Sequence, residues 1–327
     1  MMKKIFLSLL IVLTINPRVL ADGGEDVAAG AALGGMTGIV VGALIPGTVG
    51  EFVRHGVKYR HTGNIAPTQA EAYLSAPMEY PFTRDLTIPH AISAGGVNYY
   101  ITGMDEGCFK QTDISGVSIG DLVRTIPVSA FQYCAELKHV DFHGGVKFIE
   151  NSAFMGCTSL DSIRLPELVK YIGNHAFNQC IRLRRINIPT ACSYIGEFAF
   201  HNCYALEEVT FGGNGPEYLP PYCFQTCENL REITLPGGVR YLCDWSFNKS
   251  GIERITWGKD LKAIGNDVFL QTPLKEIFSH AAVPPTVGRS FTYDMCSRIV
   301  VHVPRGSGAA YKADPFWKNF PTIVEDL

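Results

Sequence analysis

The sequence predicts a repeat solenoid whose stacked repeats build a parallel β-sheet. One phenylalanine recurs every 22 to 24 residues, and apolar residues recur at fixed distances from it. Self-similarity at a period of about 20 to 50 residues is typical of solenoids. The phenylalanines are Phe109, Phe131, Phe154, Phe177, Phe200, Phe224, Phe247, Phe269 and Phe291.

The apolar positions define which part of each repeat is a strand. An isoleucine or leucine stands five residues before the phenylalanine and a leucine six residues after it, as Ile172 and Leu183 do around Phe177. Nine and eleven residues after it come two apolar residues with a polar one between them, such as Ile186 and Ile188. This alternation predicts a short, half-buried strand.

A turn and a returning segment complete each repeat, and proline often closes the turn, at Pro166, Pro189 and Pro236. Burial of about five large apolar side chains contributes ~1.5–3 kcal/mol apiece. Ordering the backbone costs ~1–2 kcal/mol for every residue of the repeat. A single repeat therefore cannot fold alone, and its stacked neighbours supply the missing core.

Cysteine also recurs in the array, three residues after the phenylalanine in five of the repeats. Other repeats carry Thr112, Ser250 or Thr272 there, and their next apolar residue comes one position earlier.

Ten cysteines in an exported chain suit a disulfide framework. In-register cysteines of stacked turns, however, lie ~4.8 Å apart, beyond the ~3.8 Å between Cβ atoms that a disulfide prefers. We expect buried free thiols. The residues concerned are Cys134, Cys157, Cys180, Cys203 and Cys227.

The repeat over residues 171–189 contains Ile-Gly-x-x-Ala-Phe-x-x-Cys-x-x-Leu-x-x-Ile-x-Ile-Pro, and this pattern resembles the BspA-like family of bacterial leucine-rich repeats. The likeness covers about residues 51 to 327 and includes a closing segment with Tyr311, Trp317 and Phe320. The resemblance implies a leucine-rich-repeat solenoid with a parallel β-sheet on one face and short turns or helical segments on the return. It also implies an exported surface protein that adheres to host proteins or to other cells.

The remaining segments flank the solenoid, which we place at residues 108–295. Residues 51–107 are rich in strand formers and are expected to form an N-terminal β-rich cap, and residues 296–327 a C-terminal cap. Residues 1–21 are typical of a signal peptide, because Lys3 and Lys4 precede an apolar run and the segment ends at a small residue, Ala21. We expect the protein to be exported to the cell surface, the periplasm or the medium.

Residues 22–50 contain an apolar run, residues 28–45, in which glycine recurs at every fourth position. One interpretation is a Gly/Ala-rich connector, because glycine disfavours helix by ~1 kcal/mol per residue. The other is a membrane-associated helix, because small residues at this spacing let helices approach closely. Both interpretations stay open.

Charge and motifs exclude several function classes. The formal net charge is −3 and no basic run follows the leader, which argues against nucleic acid as a partner. The nine histidines form no HExxH motif, and neither a nucleophile elbow nor a phosphate-binding loop is present. Cys223 and Cys227 lack two further ligands for a metal. We therefore predict no enzyme, no catalytic residue, no metal and no cofactor.

The exposed face of the predicted sheet is the candidate partner-binding surface. It comprises the residues eight and ten positions after each phenylalanine, which face away from the core and differ between repeats. The alternative interpretation is a solvated face whose opposite charges pair between neighbours. The candidate residues are His139, Asp141, Arg164, Arg185, Asn187, Glu208, Thr210, Glu232, Thr234 and Arg254.

These observations favour a non-enzymatic binding or adhesion module for a protein or glycan partner. The first alternative is a structural protein of the cell envelope, anchored by the glycine-rich segment at residues 28–45. The second is a hydrolase whose active site is shared by several repeats.

Overall fold

The computed structural model describes residues 51–54, 57–66, 69–77, 84–94 and 97–327. The predicted signal peptide and the glycine-rich segment lie outside these residues. The described part of the chain is a β-solenoid with little helix, as the sequence predicts.

The N-terminal part is a five-stranded sheet in the order β1-β2-β3-β6-β5. Only β3 and β6 run parallel, and the other pairs are antiparallel. Tyr59, Tyr99 and Ile101 are buried in it. Its strands are β1 (Glu51–Arg54), β2 (Val57–Ala66), β3 (Gln69–Pro77), β5 (Ala91–Ala94) and β6 (Val97–Met104).

The strands that the apolar alternation predicts are parallel and lie in three hydrogen-bonded sheets of three, three and five strands along one side of the solenoid, together called the front sheet. Its first strand, β4, comes from the segment between β3 and β5. The strands are β4 (Asp85–Ile88), β7 (Gly116–Ile119), β9 (His139–Phe142), β11 (Ser162–Ile163), β13 (Arg185–Ile188), β15 (Glu208–Phe211), β17 (Glu232–Thr234), β19 (Arg254–Trp257), β21 (Glu276–Ser279), β23 (Val300–Val303) and β24 (Thr322–Glu325).

Each turn also contributes a second strand of two residues, and these strands form two parallel sheets of four strands each, together called the flank sheet. The inward residue is the isoleucine or leucine five positions before the phenylalanine, except in the last strand, where it is Val287, four positions before Phe291. The strands are β8 (Thr125–Ile126), β10 (Phe148–Ile149), β12 (Tyr171–Ile172), β14 (Tyr194–Ile195), β16 (Tyr218–Leu219), β18 (Tyr241–Leu242), β20 (Ala263–Ile264) and β22 (Thr286–Val287).

Stacked phenylalanines form the axis of the core. Phe177 lies 5.4 Å from Phe154 and 5.5 Å from Phe200 between ring centroids, and the paired rings are nearly parallel. Phe109 through Phe269 repeat this contact in every turn. Because aromatic pairs contribute ~0.5–1.5 kcal/mol beyond their buried area, the column couples each turn to the next.

The return from flank sheet to front sheet uses left-handed backbone at two points, two residues before and two residues after each phenylalanine from Phe109 to Phe269. Around Phe177 these are His175, with φ of 57°, and Gln179, with φ of 62°. One turn uses Gly156 at the second point, with φ of 73°, and a Cβ there would lie 2.3 Å from the ring of Tyr133. Glycine is required at that close approach.

The buried cysteines connect neighbouring turns. Cys180 Sγ donates a hydrogen bond to the carbonyl oxygen of Phe154, one turn earlier, over 3.2 Å. In the shorter turns Thr112 and Thr272 instead donate to the phenylalanine carbonyl of their own turn, at 2.8 and 2.7 Å. The same contact from thiol to preceding turn is made by Cys134, Cys157, Cys203 and Cys227.

Prolines coincide with the places where the front sheet loses its hydrogen-bonded ladder. After β9 and β15, the backbone N–H groups of His143 and Gly212 donate to the preceding turn at 3.0 and 2.8 Å. Pro166 and Pro236 occupy the same position after β11 and β17 and have no N–H to donate. Pro189 occupies this position after β13, where the ladder to β11 is shortened to two residue pairs but not lost. In the described part of the chain, β9 does not pair with β11, nor β15 with β17.

The C-terminal end of the solenoid is closed by two short helices, α1 (Tyr293–Arg298) and α2 (Gly308–Ala313), and a 3₁₀ turn (Trp317–Asn319). Tyr311, Trp317 and Phe320 are buried there. The hydroxyl of Tyr311 donates to the carbonyl of Ala281 over 2.8 Å. Burial raises the pKa of Tyr311 to about 12, so the hydroxyl stays protonated as a donor.

Candidate functional site

The front sheet carries all ten predicted surface residues on its solvent side. Nine are exposed, and Asn187 is half-buried because Thr210 Oγ1 donates to its side-chain oxygen over 3.0 Å. The inward neighbours, such as Ile186, are buried. The alternation of strand residues therefore places these side chains on one surface.

The first ladder break opens a shallow groove of about 580 Å³ over β9, β11, β13 and β15. The groove lies over the break between β9 and β11 and extends toward β15. Apart from the imidazole of His139, no ring lines it. It brings together seven of the predicted residues: His139, Asp141, Arg164, Arg185, Asn187, Glu208 and Thr210.

The second ladder break, between β15 and β17, forms a groove of about 500 Å³. Its lining includes Glu208, Thr210, Glu232 and Thr234 among the predicted residues, and Glu207 adds a third carboxylate. Lys and Arg are absent from this lining. The surface thus changes from mixed charge over the first groove to acidic over the second.

Opposite charges pair along part of this face. Arg185 Nε lies 3.4 Å from Glu208 Oε2, and Arg254 Nε lies 2.5 Å from Glu276 Oε2. Arg254 lines neither groove. Such exposed pairs contribute only ~0–1 kcal/mol each, and the pairing agrees with the solvated-face interpretation for these residues.

Arg164 differs from its neighbours. Within the described residues no carboxylate lies within ion-pair distance of its guanidinium, and it lines the first groove beside the predicted partner residue Arg185. Among the ten residues, Arg164 is the exposed arginine that has no ion-pair partner within the described residues. Its guanidinium is accessible to a carboxylate of another molecule.

Two half-buried histidines lie on the return side. Asn178 hydrogen-bonds Nδ1 of His175 at 3.0 Å, and His201 packs edge-on against Phe198, with ring centroids 5.5 Å apart. Burial lowers the pKa of both imidazoles, and the nearby His175 lowers that of His201 further. Both are neutral at physiological pH.

A metal centre finds no support in the described residues, because no group of three or more His, Cys, Asp or Glu side chains is arranged to hold an ion. The ten cysteines are all unpaired, and only Cys243 is not fully buried. Burial raises the pKa of the ladder thiol Cys180 to about 12. These thiols are packing groups rather than nucleophiles.

Sequence reasoning missed two aromatic columns. One lies six residues before the phenylalanine, on the outer side of the flank sheet. The other lies two residues before it, at the left-handed position, where His175, Phe198 and Tyr222 stack with ring centroids 4.7 and 4.3 Å apart. Recurrence at a fixed distance from the phenylalanine is the signal that would have revealed both. The first column contains Phe148, Tyr171, Tyr194, Tyr218 and Tyr241.

Across the described ranges, none of the helices has the length and apolar character needed to traverse a bilayer.

Comparison with known proteins agrees with the repeat pattern. The sequence model of the BspA type leucine rich repeat region matches residues 102–216 and 214–299, in six copies. The chain therefore belongs to the BspA-type leucine-rich-repeat family. Curated proteins gave no match.

Solved structures with a similar fold are bacterial leucine-rich-repeat proteins. A protein from Bacteroides ovatus is 24% identical, with 84% of this chain and 67% of that chain covered and a TM-score of 0.64. A leucine rich cell surface protein from Faecalibacterium prausnitzii is 17% identical, with 79% and 85% covered and a TM-score of 0.40. The Treponema pallidum leucine rich repeat protein is 20% identical, with 62% and 81% covered and a TM-score of 0.43.

Proposed function

We propose that this chain is an exported, non-enzymatic binding module that holds a protein partner on the front sheet. The observation that supports it is the groove over β9–β15, which gathers seven variable polar residues on a rigid array of strands. Solenoids use extended surfaces of this kind for partners. Membership in a family of bacterial repeat proteins is compatible with that role.

The chemistry of the face favours a protein over a glycan. Two arginines, Arg164 and Arg185, stand beside the acidic residues Glu207, Glu208 and Glu232. A partner with an acidic patch next to a basic one would match this order, and such complementarity fixes register and speeds association. The grooves are shallow and suit a contact spread over several turns.

Binding to a panel of immobilised extracellular-matrix proteins tests the proposal. The variant Arg164→Ala/Arg185→Ala should weaken binding of the retained protein about 30-fold or more, since truncating a charge that the complex buries costs ~2–5 kcal/mol and about 1.4 kcal/mol is tenfold. The matched control is Arg298→Ala, which removes an exposed arginine of α1 whose nearest carboxylate, Asp294, is 3.9 Å away. Equal binding by both variants would show that the binding site does not lie on the front sheet.

The export part of the proposal has its own test. Cell fractionation of the full chain should place the protein outside the cytoplasm. A salt wash that fails to release it from membranes would instead favour the envelope-structural alternative, anchored through residues 28–45.

A further inference from the structure

The aromatic column on the flank sheet consists of Phe148, Tyr171, Tyr194, Tyr218 and Tyr241, the outward residues of five consecutive strands. Tyr171 and Tyr194 stack with ring centroids 4.7 Å apart and planes 5° apart. Tyr218 and Tyr241 stack in the same way at 4.8 Å. Rings stacked face to face expose their edges and hydroxyls to solvent and hide their faces.

The rings of the column stack as two pairs, because among the described rings neither Phe148 and Tyr171 nor Tyr194 and Tyr218 are in contact. Between Phe148 and Tyr171 the strands still pair, whereas the flank sheet is interrupted between Tyr194 and Tyr218, where β14 does not pair with β16. The turn that separates them is the longest, with 24 residues between Phe200 and Phe224. The side of each ring that faces the interruption is not covered by a stacked neighbour. Tyr194 and Tyr218 are 45% and 52% exposed, the highest values in the column.

Pro220 lies at the interruption, in the turn with the extra residue. In the preceding turn the N–H of Gly196 donates to the carbonyl of Ile172 over 2.8 Å, and this bond joins β14 to β12. Pro220 occupies the equivalent position after β16 and has no N–H to donate to Ile195. The ladder resumes afterwards, where Cys243 N donates to the carbonyl of Leu219 over 2.9 Å.

Polar groups border the interruption. Glu217 precedes Tyr218, and its carboxylate lies 3.8 Å from the guanidinium of Arg240, with both side chains about half exposed. The negative charge of Glu217 is the largest cause that raises the pKa of Tyr218, which indicates that the carboxylate acts on the phenol. Ser193 precedes Tyr194 and is exposed. Ser193 and Glu217 thus precede the two tyrosines on either side of the interruption, whereas Arg240 belongs to the next turn, on the side where Tyr241 covers Tyr218.

We propose that Tyr194 and Tyr218 form a carbohydrate-binding site that takes a neutral pyranose ring of a glycan chain. A pyranose has an apolar face of C–H groups that packs on an aromatic ring and a rim of hydroxyls. Glu217 and Ser193 accept hydrogen bonds from those hydroxyls, and Arg240 holds the carboxylate of Glu217 from the neighbouring turn at 3.8 Å. The hydroxyls of the neighbouring Tyr171 and Tyr241 can hydrogen-bond further sugar units along the column.

The bordering groups also distinguish a glycan from a proline-rich peptide, which aromatic surfaces bind as well. Such a peptide presents mainly carbonyl acceptors and needs donors on the protein. The hydroxyls of Tyr194, Tyr218 and Ser193 can donate to either ligand, but the carboxylate of Glu217 only accepts hydrogen bonds. Sugar hydroxyls provide donors for this carboxylate, whereas proline has no N–H.

An array of immobilised neutral oligosaccharides, including cellohexaose, maltohexaose, mannohexaose and chitohexaose, tests the site with the full chain. The best binder is then measured by titration calorimetry. Tyr194→Ala/Tyr218→Ala should lose about tenfold or more in affinity, because two ring contacts are removed. The matched control is Tyr204→Ala, since Tyr204 is 41% exposed but lies outside the column.

A second variant leaves both tyrosines in place. Pro220→Gly supplies the N–H that Gly196 supplies in the preceding turn, so β16 can join β14 and the uncovered faces can close on each other. Affinity for the same oligosaccharide should fall, with circular dichroism unchanged. Tyr194→Phe/Tyr218→Phe keeps the faces and should retain more binding than the alanine variant.

Three results would overturn the proposal: no binding to any oligosaccharide, equal loss in the Tyr204→Ala control, or binding of a decaproline peptide in place of the sugars. The front-sheet variant Arg164→Ala/Arg185→Ala should bind the oligosaccharide normally. The two proposals can therefore fail independently.

Discussion

Cys180 donates a hydrogen bond from its thiol to the carbonyl oxygen of Phe154, which belongs to the preceding turn. The same carbonyl also accepts from the backbone N–H of Cys157 at 3.2 Å. The thiol therefore serves as a link between turns as well as a small apolar group. Five cysteines make this link in succession, which explains why the sequence keeps cysteine rather than alanine at the position.

Loss of one thiol should destabilise the solenoid. Cys180→Ala removes a buried hydrogen bond to Phe154 and leaves a small cavity, and we expect a loss of ~1–2 kcal/mol in the free energy of unfolding. Urea unfolding followed by circular dichroism measures it. Cys243→Ala is the control, because Cys243 is only half-buried. An equal loss in both variants would show that the thiol link contributes nothing.

Thiol reactivity should separate Cys243 from the other nine cysteines. Burial raises the pKa of the thiols, to about 11 for Cys192 and about 12 for Cys180, and it also blocks access by reagents. Iodoacetamide should first modify Cys243 in the native protein and all ten cysteines after denaturation, as read by mass spectrometry. Early modification of Cys180 would contradict its burial.

Relief of left-handed strain should stabilise the fold. Lys249 is exposed and has φ of 58°. It occupies the same repeat position as Gly156, which lies four turns closer to the N-terminus. Lys249→Gly removes the Cβ penalty and should raise the free energy of unfolding by up to ~1 kcal/mol. Lys262→Gly, at an exposed position without positive φ, should lower it by ~0.5–1 kcal/mol. Thermal unfolding of both variants compares them.

Acid should destabilise the protein through His175 and His201. Burial is the main cause that lowers the pKa of each below the ordinary 6.5, although Glu197 opposes it at His175. The unfolded chain therefore binds protons more readily than the folded one below about pH 6.5, so stability falls as the pH decreases through that value.

The measurement is the urea midpoint as a function of pH. His175→Asn/His201→Gln should flatten the curve on the acid side, and Asn tolerates the left-handed φ of 57° at position 175. The control variant His143→Gln alters an exposed histidine on the front side and should keep the original slope. A variant curve that retains the wild-type slope would assign the acid sensitivity to other groups.

Much of the candidate surface could be read from the sequence. Alternation around Ile186 identified Arg185 and Asn187 as outward residues, because a strand has a period of two. The same reasoning applied to Ile172 and Ile195 would have found Tyr171 and Tyr194, but a strand of only two residues shows no alternation of its own.

The sequence by itself determined the array: its period, the core phenylalanines, the buried cysteines and the outward positions of the front strands. These follow from local spacing, because every turn repeats the same environment. The tertiary structure decided where the two sheets are interrupted and which rings stay uncovered. Pro166, Pro220 and Pro236 each lie at an interruption and lack the N–H that would bond the turn before, but Pro189 lacks it as well and its strand still pairs. Which proline coincides with a break is therefore decided only when the turns are stacked.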